Sequence, residues 1–122
     1  LRDLAGGRVT VVAFTSPQCG PAVEDLPRLA AAAERLRRLG VGVVTVVEAT
    51  GPSAEVAAFL AKGRHAGPVH FDRRHEASRA LNQWGTPYYY VLDGDGRVRF
   101  EATSDADEAM ARAEAVRAAE GG

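Results

Sequence analysis

Apolar positions in this chain alternate between two spacings, and the change of spacing marks out the elements. From Arg8 to Thr15 (RVTVVAFT) the residues are largely β-branched and nearly all apolar from Val9 on, as in a strand covered on both faces. From Gly20 to Leu39 the period lengthens: Val23, Leu26, Ala30, Ala33 and Leu36 recur at three and four residues, which makes one helical face apolar. Arg28, Arg35, Arg37 and Arg38 take the other side, and Gly40 supplies a stop. Val41 to Val47 (VGVVTVV) is a second buried strand. Ser53 can cap a helix running through Lys62, with Val56, Ala57, Phe59 and Leu60 as its apolar content. Gly67-Pro68 breaks that helix, Val69 to Phe71 is a short strand, and a helix follows from Arg74 to about Gln83.

Two further strands, Tyr88 to Leu92 and Arg97 to Glu101, are joined through Asp93-Gly94-Asp95-Gly96, a hairpin signal. Ser104 opens a last helix whose inner face is Ala106, Ala109, Met110, Ala113 and Val116. The order is β-α-β-α-β-α-β-β-α, an α/β chain whose early part is parallel and whose hairpin is added on one side. Right-handed crossovers then put the first strand in the middle of the sheet.

A chain of 122 residues, without repeats or a low-complexity linker, is expected to form a single domain over 1–122. Fifteen basic and 16 acidic residues leave a formal charge of −1, which argues against a nucleic-acid partner held by phosphate contacts. No run of 18 apolar residues is present, so no membrane segment is expected within it. The chain begins at Leu1, and any leader or anchor would lie outside it.

The candidate chemistry is concentrated at the only cysteine, Cys19, in the run Cys19-Gly20-Pro21-Ala22, where the first strand gives way to a helix. A thiolate at a helix N-terminus gains from unpaired N–H groups and the helix dipole, so Cys19 is expected to ionise more easily than a free thiol. Glu24 and Asp25 oppose this. A single cysteine cannot form an internal disulfide.

The stretch VVAFTSPQCGPAVEDLP resembles the strand, active-site turn and first helix of TlpA/ResA-like thiol-disulfide oxidoreductases, within the thioredoxin-like superfamily. Phe14 stands where that family usually has an aromatic, and Pro27 matches the proline that kinks its active-site helix. Gly85-Thr86-Pro87 resembles the loop whose cis proline faces the active-site cysteine, and Phe71-Asp72 and Asp93-Gly94-Asp95-Gly96-Arg97 also have counterparts. The resemblance covers essentially the whole chain. It implies a thioredoxin-like fold, a central mixed sheet flanked by helices, with Cys19 as nucleophile. Gln18, Gly20, Pro21, Ala22 and Ser16 would form the active-site motif, and Thr86 and Pro87 would offer main chain to a substrate strand.

Three positions depart from the family. Ala22 stands where the resolving cysteine would be, so a mixed disulfide at Cys19 cannot be released from within the chain. Gln18 replaces the usual tryptophan, and Ala13 occupies the place of a buried aspartate that assists proton transfer in thioredoxins.

The expected function is therefore monothiol redox exchange. Cys19 forms a mixed disulfide with a protein or low-molecular-weight thiol, and an external thiol releases it; no cofactor and no metal are called for. One alternative is a one-cysteine peroxidase. Ser16 has the spacing of that family's hydroxyl and Arg79 or Arg99 could supply the required arginine, but Val12 replaces its proline. Another is a binding module that has kept the fold and lost turnover. His65, His70 and His75, spaced by five, do not share a helix face and are expected to be surface residues. Of Tyr88, Tyr89 and Tyr90, two are expected to pack and Tyr88 could line the site, while Trp84 could cap the same loop. The resemblance implies work outside the cytoplasm, with the full-length protein tethered to a membrane or secreted.

Overall fold

The computed structural model describes residues 5–49, 51–65, 69–81, 85–102 and 105–120. Its elements are β1 (Thr10–Thr15), α1 (Gly20–Arg38), β2 (Gly42–Val47), α2 (Ala54–Lys62), β3 (Val69–Phe71), a 3₁₀ turn (Arg73–His75), α3 (Glu76–Leu81), β4 (Tyr88–Leu92), β5 (Val98–Ala102) and α4 (Ala106–Ala119). The strands form one sheet in the order β3-β2-β1-β4-β5, with β1 in the centre as the crossover argument requires. β1 is parallel to β2, pairing Thr10 with Gly42 through Thr15 with Val47. It is antiparallel to β4, pairing Thr10 with Leu92 and Phe14 with Tyr88.

Every residue of β1 and β2 is buried, because both faces of the sheet are covered. On one face Val11, Ala13, Val43, Tyr89 and Val91 meet Leu26, Leu29, Ala33 and Leu36 of α1, Phe59 of α2 and the alanines of α4. On the other, Val12, Phe14, Val44, Val46, Tyr90 and Leu92 pack with Ala77 and Leu81 of α3. The buried row of α1 is Ala22, Leu26, Leu29, Ala33 and Leu36, so Leu29 takes the place expected for Ala30, and Val23 is only half-buried. Spacings of four and three starting at Ala22 keep this row over the strands. α1 ends in a Schellman motif. Gly40, at φ 80°, donates to the Arg37 carbonyl at 3.0 Å and Val41 to that of Leu36 at 3.0 Å.

Several boundaries differ from the sequence expectation for local reasons. β1 starts at Thr10 rather than Arg8, because the Thr10 hydroxyl lies 2.9 Å from the Ala5 carbonyl and 3.0 Å from that of Arg8, turning the preceding segment. The helix expected from Arg74 begins at Glu76 instead. Arg74 and His75 have φ values of 59° and 54°, and the buried Asp72 carboxylate accepts the N–H groups of Ala77 at 2.8 Å and Ser78 at 3.2 Å. β5 begins at Val98 rather than Arg97, whose N–H closes the hairpin turn on Asp93 Oδ1 at 3.0 Å. Ser53 caps α2, accepting from the Val56 N–H at 3.1 Å, as expected. α4 is capped by Asp105, which accepts from Asp107 and Glu108; Ser104, Gly67, Pro68, Gln83 and Trp84 lie outside the described residues.

α2 ends on Gly63, whose backbone is ordinary right-handed helix at φ −79°. An added Cβ there would stand 2.6 Å from Cγ and 3.0 Å from Cβ of Leu26, itself buried in the core. Gly63→Ala would normally stabilise by restricting the unfolded chain. Here the overlap should dominate and cost about 1–2 kcal/mol. Urea unfolding checks this; a neutral or stabilised variant would show that Leu26 gives way.

Candidate functional site

Because β4 runs antiparallel to β1, the start of β4 lies beside the end of β1. Residues 67 apart in sequence therefore meet: Cys19 Sγ lies 3.1 Å from the Thr86 carbonyl oxygen, placed to donate its proton there. The Thr86–Pro87 peptide bond is cis, as the family resemblance implies. Pro87 is buried, while Thr86 and Cys19 are half-buried.

Local chemistry positions the thiol. The Cys19 N–H donates to the Ser16 carbonyl at 3.2 Å, closing a tight turn, and the Cys19 carbonyl accepts the first intrahelical bond, from Val23, at 3.0 Å. Cys19 is thus the N-cap of α1, with no side-chain cap bond. Pro21 suits this start because its missing N–H would have no intrahelical partner there. Gly20 and Pro21 are exposed, whereas Ala22 is 1 % exposed and turned into the protein.

The turn residues are held by local hydrogen bonds. Ser16 is buried, and its hydroxyl oxygen accepts the Gln18 N–H at 3.1 Å. Gln18 is exposed, and its amide donates to the Glu55 carboxylate at the start of α2. Of the two arginines considered for a peroxidase, Arg99 lies at the opposite end of the sheet, paired with Asp93 at 3.8 Å and Glu120 at 3.1 Å. Arg79 is exposed on α3. Tyr88 turns away to the other face, its hydroxyl 3.0 Å from Glu101 and its ring edge-on to Tyr90 at 5.3 Å.

Two clefts flank the Cys19 turn. One, of about 230 Å³, is lined by Pro21, Glu24, Asp25, Arg28 and Pro87. The other, of about 340 Å³, is bordered by Pro17, Gln18, Glu48, Ser53 and Glu55. Asp25 is a residue whose place the sequence reading missed. The Tyr89 hydroxyl donates to its carboxylate, and Arg28 lies 3.8 Å from it. Tyr89 stands opposite Ala13 in the sheet, so the small side chain at position 13 accompanies a carboxylate supplied from α1 instead of β1. Helical phase was the available signal, since Asp25 falls between Ala22 and Leu29 on the edge of the buried row.

Among the histidines, His65 departs from the surface expectation: it is half-buried, with Nε2 2.7 Å from the Thr45 hydroxyl. Burial, followed by the nearby Arg37 charge, lowers its affinity for a second proton. His70 and His75 are exposed. No group of metal-ligating side chains occurs among the described residues, and no described helix is long and apolar enough to cross a membrane.

A half-buried thiol at a helix N-cap, facing a cis proline across a mixed sheet, defines a thioredoxin-like protein. The Redoxin family profile matches residues 1–118, and the chain belongs to that family. No curated protein sequence matches it. Its fold is shared with the thioredoxin domain of a Bacteroides vulgatus thiol-disulfide oxidoreductase, with a TM-score of 0.80, 14 % identity, and 96 % of this chain and 84 % of that one covered. A secreted Mycobacterium tuberculosis disulfide oxidoreductase homologous to Escherichia coli DsbE gives a TM-score of 0.72 at 19 % identity, over 91 % and 84 %. StoA from Bacillus subtilis gives 0.73 at 18 % identity, over 86 % and 81 %.

The buried phenols of β4 carry a pH signature. Burial first, then the bond to Asp25, pushes the Tyr89 hydroxyl far above the usual tyrosine range; burial pushes Tyr90 up to about 12. Above pH ~10 the unfolded chain releases these protons and the folded chain keeps them. The unfolded state then binds fewer protons, so the contribution of the two phenols should be level below pH ~9 and stability should fall between pH ~10 and ~12, by up to ~1.4 kcal/mol per pH unit for each phenol. Urea titrations of Tyr89→Phe and Tyr90→Phe should each show a shallower fall. An unchanged fall in both variants would show that neither phenol is the source.

Proposed function

We propose that this protein carries out monothiol exchange through Cys19. The Cys19 thiolate attacks one sulfur of a disulfide, the S–S bond breaks, and the second sulfur leaves as a thiolate. A mixed disulfide at Cys19 results, and a second thiol from a protein or small molecule attacks it and returns Cys19 to the thiol form. The observation that carries this is the 3.1 Å approach of Cys19 Sγ to the Thr86 carbonyl beside Pro87. The thiol donates to that carbonyl, while a thiolate or a mixed disulfide has no proton to give. Attack therefore frees the Thr86 carbonyl to accept an N–H from an extended substrate segment.

Ala22 sets the limit of the reaction. Its place one helical turn beyond Cys19, buried at 1 % exposure, holds a methyl group where a resolving thiol would stand. Exchange thus ends at the mixed disulfide until an outside thiol arrives. Partners are thiol- or disulfide-bearing proteins or low-molecular-weight thiols, and residues 1–122 act as one domain. Work outside the cytoplasm is the compartment we favour, supported by the likeness to the secreted mycobacterial oxidoreductase.

Reduced protein incubated with oxidised glutathione should acquire one glutathione at Cys19 by intact mass and peptide mapping, and Cys19→Ser should acquire none. Ala22→Cys should form an internal disulfide and raise the steady-state rate of disulfide reduction at least about tenfold, because release no longer waits for a second molecule. A thiol that stays free with oxidised glutathione and with small aromatic disulfides would overturn the proposal. Peroxide converting Cys19 to a sulfenate faster than disulfides react would replace it with peroxidase chemistry.

A further inference from the structure

We propose that the end of the sheet remote from Cys19 holds a binding site for a phosphate-bearing anion, in the cleft that Arg8 and Arg117 line beside Gly40. Both arginines line one cleft of about 300 Å³ together with Val9, Gly40 and Glu120. Arg8 also borders an adjoining hollow of about 370 Å³, whose walls include Thr10, Arg37, Gly42 and His70. Arg8 is common to both hollows.

The glycines make this arrangement possible. Arg117 Nε lies 3.9 Å from the point where a Cβ on Gly40 would stand, and Arg8 Nε lies 3.0 Å from the corresponding point on Gly42. A side chain at position 42 would displace Arg8 and would also meet the Thr10 hydroxyl at 2.8 Å. Bare backbone therefore forms the floor on which the guanidinium groups rest.

These charges are not compensated within the described residues. Arg28, Arg35, Arg38 and Arg99 each have a carboxylate partner, whereas the side chains of Arg8 and Arg117 have no hydrogen bond or ion pair among those residues. The one acid that borders the cleft, Glu120, pairs with Arg99 at 3.1 Å. Helix-dipole compensation does not account for Arg8, which precedes β1 and belongs to no helix.

Guanidinium forks match phosphate oxygens in geometry and carry a permanent charge. Two of them lining one open cleft suit a dianion, which a phosphate monoester or diphosphate supplies and a single carboxylate does not. The site stands about 20 Å from Cys19, the length of β1 at ~3.3 Å per residue. A ligand there would leave the thiol open, and its binding is independent of the redox reading.

Inorganic pyrophosphate titrated into labelled protein at constant ionic strength should cause saturable amide shifts at Gly40, Val41 and Gly42. Arg8→Gln and Arg117→Gln should each weaken the binding at least about tenfold, while glutathione capture at Cys19 stays unchanged as a check on folding. Co-sedimentation with phosphatidylglycerol vesicles, set against phosphatidylcholine vesicles, separates the sources. Pyrophosphate shifts without sedimentation support a soluble phosphate ester, and sedimentation that needs phosphatidylglycerol and both arginines supports a lipid headgroup. Absence of both effects, or binding that survives in both variants, would overturn the site.

Discussion

The two-sided pairing of β1 governs where the chemistry falls. Its backbone is held by β2 in parallel register and by β4 in antiparallel register, with every side chain from Thr10 to Thr15 buried. The chain leaves β1 at the same end of the sheet where it enters β4. A residue that starts the helix after β1 must therefore stand beside the residues that precede β4. The contact of Cys19 with Thr86 follows from this pairing and needs no long-range side-chain network. The buried valines, Phe14, Tyr89 and Tyr90 that lock the register also fix the thiol against the loop that precedes β4.

Substitution at the site is matched by rearrangement around it. Ala13 contributes no acid from β1, and a carboxylate approaches instead from α1, where Asp25 accepts the Tyr89 hydroxyl and lines the cleft that also contains Pro87. Gln18 offers no aromatic surface, and its amide joins the Cys19 turn to Glu55 at the head of α2. Ala22 places a buried methyl group one helical turn beyond Cys19. The thiol end carries a cis proline, flanking clefts and a single sulfur. In the exchange we propose, attack and release are divided between this chain and another thiol.

Much of the fold was legible because the signals are strong and local. Continuous β-branched runs mark strands buried on both faces, Gly40 marks a left-handed helix end, Ser53 marks a cap, and Asp93-Gly94-Asp95-Gly96 marks a hairpin. The failures arose where a side chain bonds to backbone across a boundary. Thr10, Asp72 and Asp93 each redirect neighbouring peptide groups, and these bonds moved the start of β1, delayed α3 and shifted the start of β5 by one residue. The phase of α1 slipped from Ala30 to Leu29 because alanines contribute little contrast to an apolar stripe.

At the site, the sequence by itself determined which atoms are available: one thiol at a strand-to-helix junction, no second sulfur at position 22, and a Gly-Thr-Pro segment ready to precede a strand. Those are properties of residue type and short spacing, and they bound the chemistry without coordinates. Tertiary structure alone decided the meetings: Cys19 with Thr86, Asp25 with Tyr89, and Gln18 with Glu55. Each pair is joined by sheet register and helix docking across 37 to 67 residues of chain. Register depends on how two apolar faces are covered at once, a condition that no local stretch of sequence contains.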